Sequence, residues 1–378
     1  MAQRDRRKMS QEIFSRLIAV AQADGVVVLN EGSARWVKRK SDEDARIMAG
    51  AKLTDTLKFG KSRKVLHATH EGRSYLMCVG LPDEFSIPEV AGLEMELTPA
   101  FFGIAVVSMN IKITASAYQI KNYVETEHID VDGYDGHDLS AIAGLFQRVR
   151  VFELSRDYEA SRDVHRIMGV IQTFDRDSLS LPFSSSTLEC FRDVFEEVGD
   201  VLPHHALLQG MLSLEPTDCY LQIYRCVEKL YFVPRVSRLI KEMKYKIEFS
   251  SICKMLDEHL SWRPREEEAL RTLLSTCSEA SLSNVLIAFG VVGIGDDLEK
   301  NGQEDGGEEK ENEKKLGKLA EKAAKCIYKL RNEIVHYGMS TRPVQKSSEE
   351  WSSIYSSLLA ISRELYDQYS SVVSGKAA

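Results

Sequence analysis

The spacing of apolar residues changes near residues 181–186, and this change constrains the fold more than any other feature of the sequence. Before it, short runs with strand-like alternation are mixed with helical runs, whereas the apolar patterns after it have helical spacing. Mixed elements followed by helices alone favour an α+β protein. At 378 residues the chain is long enough for two domains. We therefore predict an N-terminal mixed α/β domain over residues 1–180 and an all-α helical bundle over residues 181–378.

The N-terminal half predicts a sheet with flanking helices. Apolar and polar residues alternate most clearly in VSMNIKIT, residues 107–114, and again in RVRVFEL, residues 148–154. Such alternation is typical of strands with one buried and one solvent-facing side. Further strands are predicted at residues 25–29, 64–68 and 74–79, and helical spacing in residues 10–23 precedes them all. The strand order cannot be predicted from these patterns.

The C-terminal half predicts helices. Ser186 and Glu189 have the spacing of a capping box at the start of the first one, and Leu188, Phe191 and Phe195 then form an apolar face. Later helices are predicted over residues 217–243, 249–260, 264–275, 282–290, 314–337 and 348–373.

Charge is distributed unevenly along the chain. Residues 296–313 hold nine acidic residues and two lysines, whereas the net charge of the whole chain is −8. Residues 296–313 contain almost no apolar residues, and this composition predicts a disordered acidic loop. Directly after it, residues 314–331 carry seven basic residues and one acidic residue. We consider the loop a candidate mimic of RNA that competes for this basic segment.

Several classes of protein are disfavoured. The longest apolar stretch, residues 285–295, is shorter than the ~20 residues that a membrane span needs. The N-terminus lacks an apolar signal core, and seven cysteines are scattered without a C-x-x-C pair, as in reduced proteins. We expect a cytoplasmic protein without a membrane partner.

Motifs for metals and cofactors fail on their spacing. The GKS at residues 60–62 lacks the first glycine of a phosphate loop, and residues 130–138 lack the glutamate that closes a calcium loop. The histidine pairs at 67 and 70 and at 204 and 205 have no companion ligands at zinc-site spacing. We expect neither a metal nor a cofactor.

The helix predicted over residues 314–337 has two distinct faces. Its core stripe contains Leu319, Ala323, Ile327, Leu330 and Ile334. The opposite face carries a polar track of Lys318, Lys325, Lys329, Asn332 and His336, bordered by Tyr328, Arg331 and Val335. The track could bind phosphates or could simply be a solvated surface. Because Tyr328 and Val335 are apolar neighbours of the track, we predict that a second subunit covers them.

Residues 331–336, RNEIVH, resemble the R-x4-H motif of HEPN domains, including the asparagine that follows the arginine in many catalytic members. The setting resembles the Apea-like branch: an earlier helix from residue 220, YLQIYRCVEKLYFVP, and a later YKLRNEIVHYG followed by a C-terminal helix. The resemblance covers roughly residues 215–373. It implies an all-α HEPN bundle that forms a homodimer.

HEPN proteins are commonly metal-independent endoribonucleases, which gives each motif residue an implied role. Histidine, with an unperturbed pKa of ~6.5, suits proton transfer, and arginine offers a permanent charge to phosphate oxygens. By resemblance, Arg331 and His336 are the catalytic pair, and Asn332 orients the imidazole or binds a phosphate oxygen. A dimer would supply the second histidine that an acid and a base together require.

The remaining implied contacts are with RNA and with the partner subunit. Lys318, Lys325 and Lys329 would bind the RNA backbone, and Tyr328 and Val335 would lie at the dimer interface. The leading hypothesis is a ribonuclease of the toxin or antiviral-defence type, with the N-terminal half as a sensor or regulatory domain. The alternatives are a non-catalytic HEPN adaptor and a regulator whose N-terminal half binds a ligand.

Overall fold

The computed structural model describes residues 6–29, 34–38, 41–59, 63–83, 85–126, 134–243, 266–291, 308–336 and 344–373. The chain divides into two compact units, Met1–Val164 and His165–Ala378. The first contains the sheet and the second contains helices, so the fold is α+β, as predicted. The junction lies 16 residues before the domain boundary placed at residue 180.

The N-terminal unit is built on an antiparallel sheet. Its elements are α1 (Arg6–Ala23), α2 (Asp42–Gly50), β1 (Lys52–Phe59), β2 (Arg63–His70), β3 (Arg73–Val79), β4 (Gly92–Met95), α3 (Pro99–Met109), α4 (Ala117–Thr126), α5 (Leu139–Ala143) and β5 (Val149–Leu154). Among the described residues the strand order is β1-β2-β3-β5-β4, with every pair antiparallel. Side chains from one face of the sheet share a hydrophobic core with α1 and α3.

The strand predicted at residues 107–114 is wrong. Thr98 caps α3, Pro99 occupies its first turn, and the helix continues to Met109, where Asn110 ends it in a left-handed conformation at φ 48°. Nearly every side of α3 is buried, so apolar residues occur all round it and the helical period is hidden. The Thr-Pro pair was the available signal for a helix start.

The other strand predictions have mixed outcomes. β2, β3 and β5 confirm the strands predicted at residues 64–68, 74–79 and 148–154. Residues 25–29 do not form a strand.

The C-terminal unit is helical throughout its described part. Its helices are α6 (Val164–Phe174), which begins at the junction, α7 (Ser185–Glu197), α8 (His204–Met211), α9 (Pro216–Glu228), α10 (Val233–Met243), α11 (Glu266–Leu274), α12 (Glu279–Ala288), α13 (Glu308–Val335) and α14 (Ser348–Val373). α13 packs against α9, α11 and α12, and α14 packs against α7, α9, α10 and α12. These contacts fix the end of α13, where the R-x4-H residues lie.

The predicted helix bounds differ from the structure in several places. Ser184, not Ser186, caps α7 by accepting a hydrogen bond from the Thr187 amide. The helix predicted over residues 217–243 is two helices, α9 and α10, and α8 was not predicted. The helix predicted over residues 249–260 lies outside the described residues.

The start of α13 also differs from the predicted one. α13 begins at Glu308, so residues 308–313, predicted as loop, are helical. The glutamates there favour a helix N-terminus because negative charge complements the helix dipole. Residues 296–307, the rest of the predicted acidic loop, lie outside the described residues.

A buried hydrogen bond ties α9 to α13 near the motif. The Tyr220 hydroxyl, completely buried, donates to the carbonyl oxygen of Ile327 at 2.6 Å. We expect Tyr220→Phe to lower the free energy of unfolding by about 1 kcal/mol, because the hydrogen bond is lost with little change of shape. Chemical denaturation measures this change. Tyr369→Phe is the control, since the Tyr369 hydroxyl makes only a long, solvent-exposed hydrogen bond of 3.5 Å to Thr276 Oγ1, and an equal loss in both variants would contradict the prediction.

Candidate active site

Arg331, Asn332 and His336 lie within two turns at the C-terminal end of α13. Arg331 Nη1 donates to Asn332 Oδ1 at 2.9 Å. The backbone amide of His336 donates to the Asn332 carbonyl oxygen at 2.9 Å. The second bond is an ordinary backbone bond of the helix, so the Asn332 side chain binds the guanidinium and not the imidazole. The His336 side chain is exposed just beyond the last turn of the helix.

Arg331 also forms an ion pair with Glu266, the first residue of α11. Arg331 Nη2 lies 3.4 Å from Glu266 Oε2 and 3.5 Å from Oε1. The Arg331 side chain is only 19% exposed, and that of Glu266 is 35% exposed. The guanidinium therefore points toward α11, on the side of α13 where Ala320 and Ala324 are buried.

Tyrosines and a second carboxylate surround this ion pair. The Tyr231 hydroxyl donates to the Tyr224 hydroxyl at 2.7 Å, and burial raises the pKa of Tyr224 to about 12. Burial also raises the pKa of Glu228, and the nearby charge of Glu266 raises it further. The charge of Arg331 acts in the opposite direction on both groups. One guanidinium thus interacts electrostatically with two partly buried carboxyl groups, and of these Glu266 makes the direct contact.

The raised pKa of Glu228 makes stability depend on pH. The folded-state pKa of Glu228 exceeds its unfolded-state pKa, so the free energy of unfolding falls as the pH rises between the two values. Above both values the full loss persists without growing. Glu228→Gln is therefore expected to raise the free energy of unfolding more at about pH 7 than at about pH 4. Urea denaturation of both proteins across this range measures the difference. A gain at about pH 4 that equals or exceeds the gain at about pH 7 would contradict the prediction.

Two of the three lysines of the polar track, Lys325 and Lys329, are paired with acids on their own helix. Lys325 Nζ lies 2.7 Å from Glu321 Oε1, and the hydrogen bond between them raises the pKa of Lys325. Lys329 Nζ, on a side chain that is 78% exposed, lies 3.9 Å from Glu333 Oε1. Lys318 is half-buried. Exposed pairs of this kind contribute little to stability, so Lys325 and Lys329 can exchange their partners for phosphates at small cost.

The two side chains predicted at a dimer interface differ in exposure. Val335 is 46% exposed, whereas Tyr328 is half-buried. The core stripe is confirmed: Leu319, Ala323, Ile327 and Leu330 are buried, and Ile334 is half-buried.

Sequence analysis missed Glu266 and Glu228. Both contribute to the surroundings of Arg331 from other helices, and Glu266 is 65 residues away in sequence. No local spacing relates these residues to the R-x4-H motif. The one local clue to a partly buried carboxyl group was in α9, where Glu228 lies one helical turn after the buried Tyr224 and therefore on the same face.

The described ranges contain neither a candidate metal site nor a candidate membrane span. No group of three histidine, cysteine, aspartate or glutamate side chains is arranged to hold a metal ion there. No helix in this part of the chain combines the length and the apolarity needed to cross a membrane. Comparison of the chain with protein-family models, curated proteins and solved structures yields no match.

Proposed function

We propose that the chain is a cytoplasmic, metal-independent HEPN endoribonuclease of the toxin or antiviral-defence type that acts as a homodimer. The observation that carries the proposal is the arrangement at the end of α13, where Arg331 Nη1 donates to Asn332 Oδ1 and the His336 imidazole lies exposed one turn after Asn332, beside an exposed valine. Exposure leaves His336 accessible to a substrate, and Val335 offers apolar surface to a second copy.

The chemistry follows from these residue types. One imidazole takes the proton of the ribose 2′-hydroxyl as its oxygen attacks the phosphorus atom. The bond to the 5′-oxygen breaks, and an imidazolium from the other subunit donates the proton that this oxygen requires. The products are a 2′,3′-cyclic phosphate and a 5′-hydroxyl. Water can open the cyclic phosphate in a second step.

The other site residues stabilise and position the RNA. Arg331 places positive charge beside the phosphorane oxygens, and Asn332 fixes its guanidinium through the 2.9 Å hydrogen bond. Lys318, Lys325 and Lys329 bind backbone phosphates without reading the base sequence.

A single site that needs histidines from two chains makes a quantitative prediction. In the presence of about a tenfold excess of the His336→Ala chain, random exchange leaves about one wild-type chain in eleven with a wild-type partner. We expect chelator-resistant cleavage per wild-type chain to fall about tenfold. Fluorescence of a labelled RNA measures the rate, and native mass spectrometry verifies that mixed dimers form.

The control chain carries Val335→Glu together with His336→Ala. It is inactive but has a charge at the proposed interface, so an equal excess should leave the rate unchanged. Undiminished cleavage per wild-type chain, with mixed dimers present, would show that one chain contains a complete site.

A non-catalytic HEPN adaptor is the second candidate, and the ion pair between Arg331 and Glu266 favours it. A partly buried arginine held by a carboxylate can serve to join α13 to α11 and nothing more. Such an adaptor would cleave no RNA in the presence of a chelator.

A further inference from the structure

The positive charge of Arg331 is already neutralised within the chain. Glu266 contacts its Nη2 through both carboxylate oxygens, at 3.4 and 3.5 Å, and Asn332 occupies its Nη1. Glu228 adds a second carboxyl group whose pKa responds to both Glu266 and Arg331. A phosphate that approached this guanidinium would therefore meet two acidic groups for one positive charge.

We propose that Glu266 competes with the RNA phosphate for Arg331. Glu266 must release the guanidinium before a phosphodiester can bind there. This proposal deepens the proposed function and rests on it, because it assigns the control of the same site to the N-terminal residue of α11. A guanidinium binds one carboxylate or one phosphate with the same planar donor geometry. The Glu266 carboxylate and a phosphate cannot both accept hydrogen bonds from Arg331 Nη2 in this geometry.

The position of Glu266 suits such an exchange. The Glu266 side chain is 35% exposed, although its Oε2 atom is buried and accepts no hydrogen bond, so release of Arg331 requires the carboxylate to turn toward water. It occupies the first turn of a helix, where the dipole stabilises a negative charge that has lost its partner. The distances of 3.4 and 3.5 Å are also longer than those of a tight charge-assisted hydrogen bond.

The adjacent residue provides a matched control. Glu267 has the same charge on the same helix, is exposed, and lies on the side of α11 that borders Lys325 and Arg271. Glu266→Gln and Glu267→Gln therefore remove the same net charge, and only the first removes the ion pair with Arg331. A difference between them measures the release of the guanidinium and excludes a general change in attraction to RNA.

The first test uses the full chain and a short fluorescein-labelled 2′-O-methyl oligouridine, which lacks the nucleophile for cleavage. We expect Glu266→Gln to bind this probe about fivefold to tenfold more tightly than Glu267→Gln does. The gain should disappear when Arg331→Ala is also present. Equal or weaker binding by Glu266→Gln would overturn the proposal, since it would make Glu266 a support of the site instead of a competitor.

The second test does not depend on RNA. Phenylglyoxal modifies accessible guanidinium groups, and peptide mass spectrometry reports the rate at Arg331 alone. We expect modification of Arg331 to be several times faster in Glu266→Gln than in Glu267→Gln. Equal rates would overturn the proposal even if the chain is a nuclease, whereas faster modification without any oligouridine binding would support the release of Arg331 and remove the nuclease function.

Discussion

Chelator-resistant cleavage of RNA is expected to fall by a factor of about 100 to 10,000 when His336 is replaced by alanine. The imidazole is the proton-transfer group of the proposed mechanism, and each dimer would lose both copies. Because the side chain is exposed and follows the last turn of α13, the free energy of unfolding should change by no more than about 0.5 kcal/mol. Rates on a labelled RNA and denaturation curves measure the two effects.

The histidine control comes from the same unit. His205 lies in α8 and is also exposed, so His205→Ala removes an equivalent side chain away from the R-x4-H motif. It should retain the wild-type rate. If His336→Ala cleaves as fast as His205→Ala does, His336 is not a catalytic residue.

Arg331→Ala is expected to reduce cleavage by about 100-fold or more, because the charge that stabilises the phosphorane is removed. It should also lower the free energy of unfolding by about 1–3 kcal/mol, because Glu266, whose Oε2 is buried, loses its cation. The folded protein should nevertheless remain the main species, so cleavage should fall by far more than the unfolded fraction can explain. Comparing the rate with the unfolded fraction under the same conditions checks this.

A second ion pair to α11 supplies the matched control for the arginine. Arg235 on α10 contacts Glu268 at 2.8 Å, so Arg235→Ala breaks a similar pair with the same helix. It should retain most of the cleavage activity. The adaptor, and not the nuclease, would be favoured by two results together. The wild-type chain would cleave no RNA, and Arg331→Ala would lower the free energy of unfolding as much as Arg235→Ala does.

The parts of the fold that could be predicted are those with a visible period. α14 has the predicted bounds, residues 348–373, because its one buried face repeats at helical spacing. β5 was predicted for the corresponding reason, since apolar and polar residues alternate along it. α3 was missed because burial on nearly all sides removes the period.

Non-local arrangement was beyond sequence reasoning. The pairing of β3 with β5 joins residues about 75 positions apart, and nothing in either strand specifies the other as its neighbour. The same limit applied to the site. Arg331, Asn332 and His336 were identifiable within six residues, whereas Glu266 reaches Arg331 only through the packing of α11 on α13.

Charge counting was a weaker guide than contact geometry. The sequence analysis counted seven basic residues and one acidic residue over residues 314–331, and this range ends two residues before Glu333. In the structure Lys329 lies near Glu333 and Lys325 near Glu321, each one helical turn apart. RNA binding by these lysines would therefore require an exchange of partners, as it would at Arg331.

The central claim is that this chain breaks RNA by attack of the 2′-hydroxyl, and the chemistry of the new ends tests it most directly. Full-length protein is incubated with an RNA of defined sequence in excess chelator, and mass spectrometry identifies the termini. The account predicts 2′,3′-cyclic phosphates and 5′-hydroxyls, absent with His336→Ala. Intact RNA, or fragments that end in a 3′-hydroxyl and a 5′-phosphate, would contradict it.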